Sequence, residues 1–151
     1  MPINKWRVVV AFCVFWMPLV QADNHQKQVL EVTVSNAYMP AVPPVSRTAA
    51  VYLELKNTSQ SKVVLSGVST SIAKNAMFHQ TVELDGLIKM KHLSNLEIYP
   101  GETIEFSPGG MHIMLMGLQV KLNQNSFMLN LTFENQAGQA IEVRMIKRDF
   151  Q

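Results

Sequence analysis

Apolar residues recur at every second position in several short runs of this sequence. In one run Ala49, Val51, Leu53 and Leu55 alternate with neighbours that include Glu54. Residues two apart project from the same face of a strand, so each run predicts a strand with one face on a core. The runs occupy residues 30–35, 49–56, 103–106, 128–133 and 141–145.

Turn signals separate these runs. Asp85-Gly86, Pro100-Gly101 and Pro108-Gly109-Gly110 are typical of tight turns, and no stretch of a dozen residues carries a helical period. Many short strands at this spacing favour an all-β domain, a Greek-key β-sandwich or β-barrel. The prolines within residues 38–44 predict a loop or an irregular edge there.

The first 22 residues have the layout of a secretory signal peptide. Lys5 and Arg7 precede an apolar run over residues 8–20, and cleavage is predicted after Ala22. The run is too short to cross a hydrocarbon core of about 30 Å as a helix. Cys13 lies inside the run rather than at its end, which argues against lipoprotein processing. The sequence therefore predicts an exported protein with one mature domain over residues 23–151.

Removal of residues 1–22 changes the composition that matters for chemistry. The mature chain lacks cysteine and tryptophan but keeps eight of the ten methionines and all four histidines. It also has equal numbers of basic and acidic residues, which gives no reason to expect a nucleic-acid partner. Thiols tend to be oxidised outside the cytosol, so a soft metal there is better held by thioether sulfur.

Two histidines and two methionines of the mature chain have a spacing that suits metal binding. Ten residues separate His79 from Met90, and twenty-one separate Met90 from His112, which is followed by Met114 two positions on. Residues two apart in a strand share a face, so His112 and Met114 form a pair of ligands. The Pro108-Gly109-Gly110 turn places that pair at the rim of the barrel.

Asp85-Gly86 is a strong signal for a two-residue hairpin turn, and the register of that hairpin places His79 and Met90 relative to each other. Such a turn pairs Thr81 with Met90 and leaves His79 diagonal to Met90 on the same face. Two imidazoles and two thioethers suit Cu(I), because thioether sulfur is a soft ligand and zinc ordinarily takes thiolate or carboxylate instead. We therefore expect a Cu(I) site with four ligands, in which His112 and Met114 join His79 and Met90.

The spacing and its surroundings resemble the PCuAC family of periplasmic copper chaperones. The family signature is His, ten residues, Met, twenty-one residues and His-x-Met, and His79, Met90, His112 and Met114 match each element. The resemblance covers residues 31–145. It implies a periplasmic protein with a cupredoxin-like barrel and one exposed Cu(I) site of two His and two Met. It also implies copper delivery to CuA-type respiratory oxidase assembly, with an oxidase subunit or another copper chaperone as partner.

Some features depart from the family pattern. Residues 146–151 contain no histidine, so a second copper site of the His-rich kind is not expected at that end. His92 would lie opposite His79 in the hairpin, and Met116 shares the face of Met114. We interpret His92 as a surface residue and Met116 as a core residue. Four further methionines outside the signature are also interpreted as core residues, namely Met39, Met77, Met128 and Met145.

Cleavage after Ala22 would create a candidate Cu(II) site at the mature amino terminus. The chain would then begin Asp23-Asn24-His25. Its α-amine, two amide nitrogens and the His25 imidazole supply four nitrogens in a square plane, the geometry that Cu(II) favours.

The same ligands would also serve a copper sequestration or tolerance protein without a delivery partner, and the sequence leaves this alternative open. A blue-copper electron-transfer site needs a thiolate, which the mature chain lacks. No Ser-His-Asp, Cys-His or paired-carboxylate arrangement indicates an enzyme. We expect a monomer with no membrane attachment after cleavage.

Overall fold

The computed structural model describes residues 31–119 and 125–146, and these residues form ten strands and no helix. Within those two ranges nothing helical is long and apolar enough to cross a membrane. The predicted signal peptide and the candidate amino-terminal Cu(II) site lie outside the described residues. The strands are β1 (Val32–Pro40), β2 (Thr48–Asn57), β3 (Val63–Thr70), β4 (Ala73–Leu84), β5 (Leu87–Leu93), β6 (Leu96–Ile98), β7 (Thr103–Phe106), β8 (Met111–Leu118), β9 (Ser126–Phe133) and β10 (Gln139–Ile146).

The strands pair in the order β5-β4-β8-β7-β2-β1-β10-β9-β3-β6, and β8 also pairs with β2. Neighbours are antiparallel, except that β1 runs parallel to β10 and β7 parallel to β8. Strands distant in sequence, such as β4 and β8, are therefore neighbours in the sheet. The predicted all-β class is confirmed.

Buried side chains from every described strand except β5 form one core, so the sheet folds over on itself. The alternation in the sequence is the cause, because β2 buries Ala49, Val51, Leu53 and Leu55 and turns the residues between them outwards. Complete burial of a large aliphatic side chain contributes about 1.5–3 kcal/mol. The largest of the completely buried side chains are Phe106, Met39, Leu53, Leu55, Leu65, Ile98, Ile113, Leu115, Leu129 and Leu131.

Several local predictions are corrected by the structure. Residues 38–40, predicted as a loop or an irregular edge, continue β1 and pair in parallel with β10. A bulge between Ser35 and Tyr38, with Asn36 at φ 53°, breaks the alternation ahead of them. Strands β3 and β6 have no counterpart among the predicted runs. Met39 is buried as predicted, but Met128 is 49% exposed, so its interpretation as a core residue is wrong.

Candidate metal centre

The hairpin of β4 and β5 has the predicted turn and register. Asp85 and Gly86 both have positive φ, 55° and 73°, as a two-residue type I′ turn requires. The turn sets Leu84 opposite Leu87 and pairs Thr81 with Met90. A one-residue slip would have moved every side chain of β5 to the other face, so this turn determines which side of the sheet Met90 occupies.

Three histidines form a row across the sheet. Strand β4 lies between β5 and β8, and His79 of β4 is the direct partner of both His92 and His112. The His79 ring centroid is 5.7 Å from that of His92 and 5.9 Å from that of His112, edge to face in both cases. We call these three side chains the imidazole row. The row lies on the outer face of the sheet. Phe78, which precedes His79 in β4, is buried and packs against Phe106 in the core, so His79 points to the opposite face.

Methionines flank the imidazole row on both sides. Met90 lies two residues from His92 along β5, towards the hairpin turn. Met114 lies two residues from His112 along β8, in the opposite direction, and its partner on β4 is Met77. By strand alternation these methionines share the face of the row. The two methionines of the signature therefore approach the pair of His79 and His112 from opposite ends.

The chain around residues 107–110 positions His112. Strands β7 and β8 lie end to end along β2, and residues 107–110 leave the sheet between them. The predicted turn is present, with Gly109 at φ 81° and the Gly110 amide donating to the Ser107 carbonyl at 3.0 Å. It does not reverse the chain, as a hairpin turn would. The Gly110 carbonyl accepts a hydrogen bond from the Thr81 amide at 3.1 Å, which ties this excursion to β4.

The same carbonyl orients the His112 ring. Nδ1 of His112 lies 3.3 Å from the Gly110 oxygen, which cannot donate, so this hydrogen bond requires the proton on Nδ1. Nε2 then carries the free lone pair. A backbone carbonyl that holds one ring nitrogen while the other faces the ion is the usual arrangement around metal-binding histidines.

Two buried imidazole nitrogens are left without partners. Among the described residues, neither Nδ1 of His79 nor Nε2 of His112 has a hydrogen-bond partner, and both atoms are buried. An unsatisfied buried polar atom costs about 1–3 kcal/mol, and a metal ion would satisfy both nitrogens at once. Burial, and then the proximity of His112 and of His92, lowers the pKa of His79 below its ordinary value. His79 is therefore kept in the neutral form that binds metal.

The donors next to the row decide which ion fits. No group of three or more His, Cys, Asp or Glu side chains within residues 31–119 and 125–146 is placed to hold a metal ion. An ion at the imidazole row would therefore be bound by two of the three imidazoles, and its remaining ligands must be side chains of another kind. The flanking methionines are the neighbouring soft donors, and thioether sulfur selects Cu(I).

Exposure differs sharply between the two ends of the centre. His112 is only 5% exposed, whereas Met90 is 58% exposed on the edge strand β5. His92 is exposed, in agreement with its interpretation as a surface residue. Met77 and Met116, interpreted as core residues, are instead half-buried on the outer face of the sheet. The position of Met77 beside the centre had no signal in the sequence, because only the pairing of β4 with β8 brings it opposite Met114.

Comparisons with known proteins agree with this architecture. The family model described as "Putative lipoprotein LpqE-like" matches residues 32–145. A protein of Leifsonia xyli subsp. xyli, named "Putative lipoprotein Lxx21020", is 31% identical over 139 residues, which cover 91% of this chain and 81% of that protein.

Solved structures with the same fold include PCuAC domains. The Cu(I) form of DR1885 from Deinococcus radiodurans superposes with a TM-score of 0.63 at 26% identity, covering 83% of this chain and 84% of that one. The copper-bound PCuAC domain from PmoF2 superposes with a TM-score of 0.65 at 18% identity, covering 78% of this chain and 94% of the domain. These matches confirm the resemblance to PCuAC proteins and the cupredoxin-like fold.

Proposed function

The chain belongs to the LpqE-like family, and from this premise we propose that it is an exported carrier of Cu(I). The proposed ligands are His79, Met90, His112 and Met114. One observation carries the proposal: two buried imidazole nitrogens without partners lie between methionines on one face of the sheet. A structural relative, DR1885, has been solved in a Cu(I) form, which supports the choice of ion.

The two halves of the site have different tasks in this proposal. His112 is buried and oriented by the Gly110 carbonyl, so its Nε2 is a fixed donor for the ion. His79 is kept neutral beside it and adds the second imidazole. Met114 and Met90 then approach from opposite ends. Four uncharged donors suit a monovalent soft cation and leave the loaded centre with a single positive charge.

We propose delivery rather than storage, because the site opens at β5. This strand forms an edge of the sheet, and none of its side chains belongs to the fully buried core. A ligand from an acceptor can approach on the exposed side of Met90 while His112 still holds the ion. The proposed acceptor is a copper-binding oxidase subunit of the CuA type or another copper chaperone.

The first prediction separates delivery from sequestration. The Cu(I)-loaded protein is mixed anaerobically with the apo copper domain of a CuA-type oxidase, and the two proteins are separated and assayed for copper. We expect the copper to move to the acceptor, and a free Cu(I) chelator of matched affinity serves as the control for simple dissociation. Retention of copper in the presence of acceptor, with equal loss to the chelator, would favour a sequestration protein.

The second prediction concerns pH. Cu(I) affinity should fall as the pH drops, because protons compete for both imidazoles while thioethers do not titrate. The fall is expected through and below the ordinary imidazole range near 6.5, since the pKa of His79 is lowered and its proton competes only at more acidic pH. Chelator competition from pH 8 to about 4.5 measures it. A constant affinity over that interval would show that the histidines are not ligands.

Export is the remaining part of the proposal. A secretory signal peptide over residues 1–22 would bring the mature chain to the periplasm, and the names of the family and of the Leifsonia relative are those of exported proteins. Amino-terminal sequencing of the processed protein should find Asp23 as the first residue.

A further inference from the structure

His92 stands next to the proposed Cu(I) site but is not one of its four ligands. It lies on β5 directly opposite His79, and the two ring centroids are 5.7 Å apart, slightly closer than those of His79 and His112. Its side chain is exposed, and the described structure gives it no hydrogen bond. A second imidazole pair that includes His79 is therefore present on the solvent side of the centre.

The separation of this pair suits a shared metal ion. With metal–nitrogen distances near 2.0–2.1 Å, two imidazoles on one ion have ring centroids about 4.5 Å apart at a right angle and about 6.4 Å apart when they are opposite. The 5.7 Å between His79 and His92 falls within this interval. Direct cross-strand partners on one face have Cβ atoms about 4.5–5.5 Å apart, so the pair needs no backbone movement to close on an ion.

The surroundings of the pair favour a different oxidation state from that of the Cu(I) site. Imidazole nitrogen suits Cu(II), which prefers a tetragonal arrangement of nitrogen and oxygen donors, whereas thioether sulfur favours Cu(I). His92 is exposed, so water can complete such an arrangement on its side of the sheet. Of the two signature thioethers, Met114 lies at the buried end of the row beside His112, and only the exposed Met90 lies near this pair.

We propose that His79 and His92 form a Cu(II)-binding pair that shares His79 with the Cu(I) site. The inference rests on the proposed function only in taking copper as the ion that the protein handles. Because the neutral His79 imidazole has only one nitrogen lone pair to offer, the two positions exclude each other, and the centre holds one copper ion at a time. The protein can thus accept copper in either oxidation state, on the exposed side as Cu(II) and on the buried side as Cu(I).

The test uses the full mature protein carrying His25→Ala, which removes the candidate amino-terminal Cu(II) site. Cu(II) alone is the probe, its affinity is measured by competition with glycine, and the bound ion is followed by electron paramagnetic resonance. Loss of an outer-sphere partner already lowers metal affinity about 10–100-fold, so loss of a direct ligand in His92→Gln should weaken Cu(II) binding by at least about tenfold. The nitrogen hyperfine pattern of the bound Cu(II) should also change.

Lys91→Gln is the matched control, because Lys91 precedes His92 on the same exposed strand and points to the opposite face. It should leave Cu(II) affinity unchanged. Cu(I) affinity should be the same in His92→Gln as in its parent. Anaerobic loading with Cu(I) should prevent the appearance of bound Cu(II).

Two results would overturn the inference: equal Cu(II) affinity with and without His92, or full Cu(II) binding by protein already loaded with Cu(I). Failure of the proposed function gives a different pattern. In that case the parent protein would bind no Cu(I), while the difference in Cu(II) affinity between the parent and its His92→Gln variant would still decide the role of the pair.

Discussion

Replacing His112 by Gln and Met114 by Leu in one protein should nearly abolish Cu(I) binding. The two side chains are neighbours on one face of β8, and one of them supplies the buried, oriented Nε2. Loss of a single outer-sphere partner lowers metal affinity about 10–100-fold. If the free-energy losses add, removal of two direct ligands together should lower Cu(I) affinity by about a hundredfold to about ten-thousandfold.

The choice of substitutions keeps the fold intact. Gln at position 112 retains an amide donor for the Gly110 carbonyl, and Leu at position 114 preserves the volume of a half-buried side chain. Competition with a chromogenic Cu(I) chelator gives the affinity, and a thermal unfolding curve of the apo protein shows whether stability has changed.

A double variant on the same face is the matched control. Met77→Leu with Met116→Leu removes two thioethers that lie beside Met114 in the register but outside the signature. Its Cu(I) affinity should equal that of the unmodified protein. If this control loses affinity while the variant at His112 and Met114 keeps it, the ligands have been assigned to the wrong methionines.

The hairpin was the most predictable part of the centre. Asp-Gly turns and strand alternation are local properties, and together they give the register that sets Met90 diagonal to His79 and His92 opposite it. The structure has this register. The same local reasoning predicted that His112 and Met114 share a face, because they are two residues apart in one strand.

Properties that depend on distant strands were not predictable in this way. No local pattern states that β8 lies beside β4, so neither the burial of His112 nor the position of Met77 followed from the sequence. Bulges also make strands hard to predict, because they interrupt the alternation of apolar and polar residues. The irregularity between Leu65 and Gly67 interrupts the alternation of β3, as the one at Asn36 does in β1.

The exposure of Met90 gives the last prediction, on oxidation. Its side chain is 58% exposed, so peroxide should convert Met90 of the apo protein to the sulfoxide readily, and the polar sulfoxide is no longer a soft sulfur donor. Cu(I) affinity should then fall while the fold persists, because no side chain of β5 is fully buried in the core. Bound metal should slow the reaction, since coordination draws electron density from the sulfur and shields it from peroxide.

Ag(I) is the suitable ion for the protection experiment, because it is soft, has a filled d shell and is not oxidised by peroxide as Cu(I) is. At an Ag(I) concentration of about 100 times its Kd, the metal-free protein falls to about one per cent, so oxidation of Met90 should slow by up to about a hundredfold. Mass spectrometry of peptides gives the rate at each methionine.

Met128 supplies an internal control for protection within the same molecule. It is 49% exposed on β9, similar to Met90, but β9 lies far from the imidazole row in the strand order. Ag(I) should leave its oxidation rate unchanged. Equal slowing at both methionines would indicate a general effect of Ag(I) on the oxidation rather than protection of Met90 by a bond to the ion. An unchanged rate at Met90 would remove it from the ligand set, because a thioether bound to the ion is shielded from peroxide and is a weaker nucleophile.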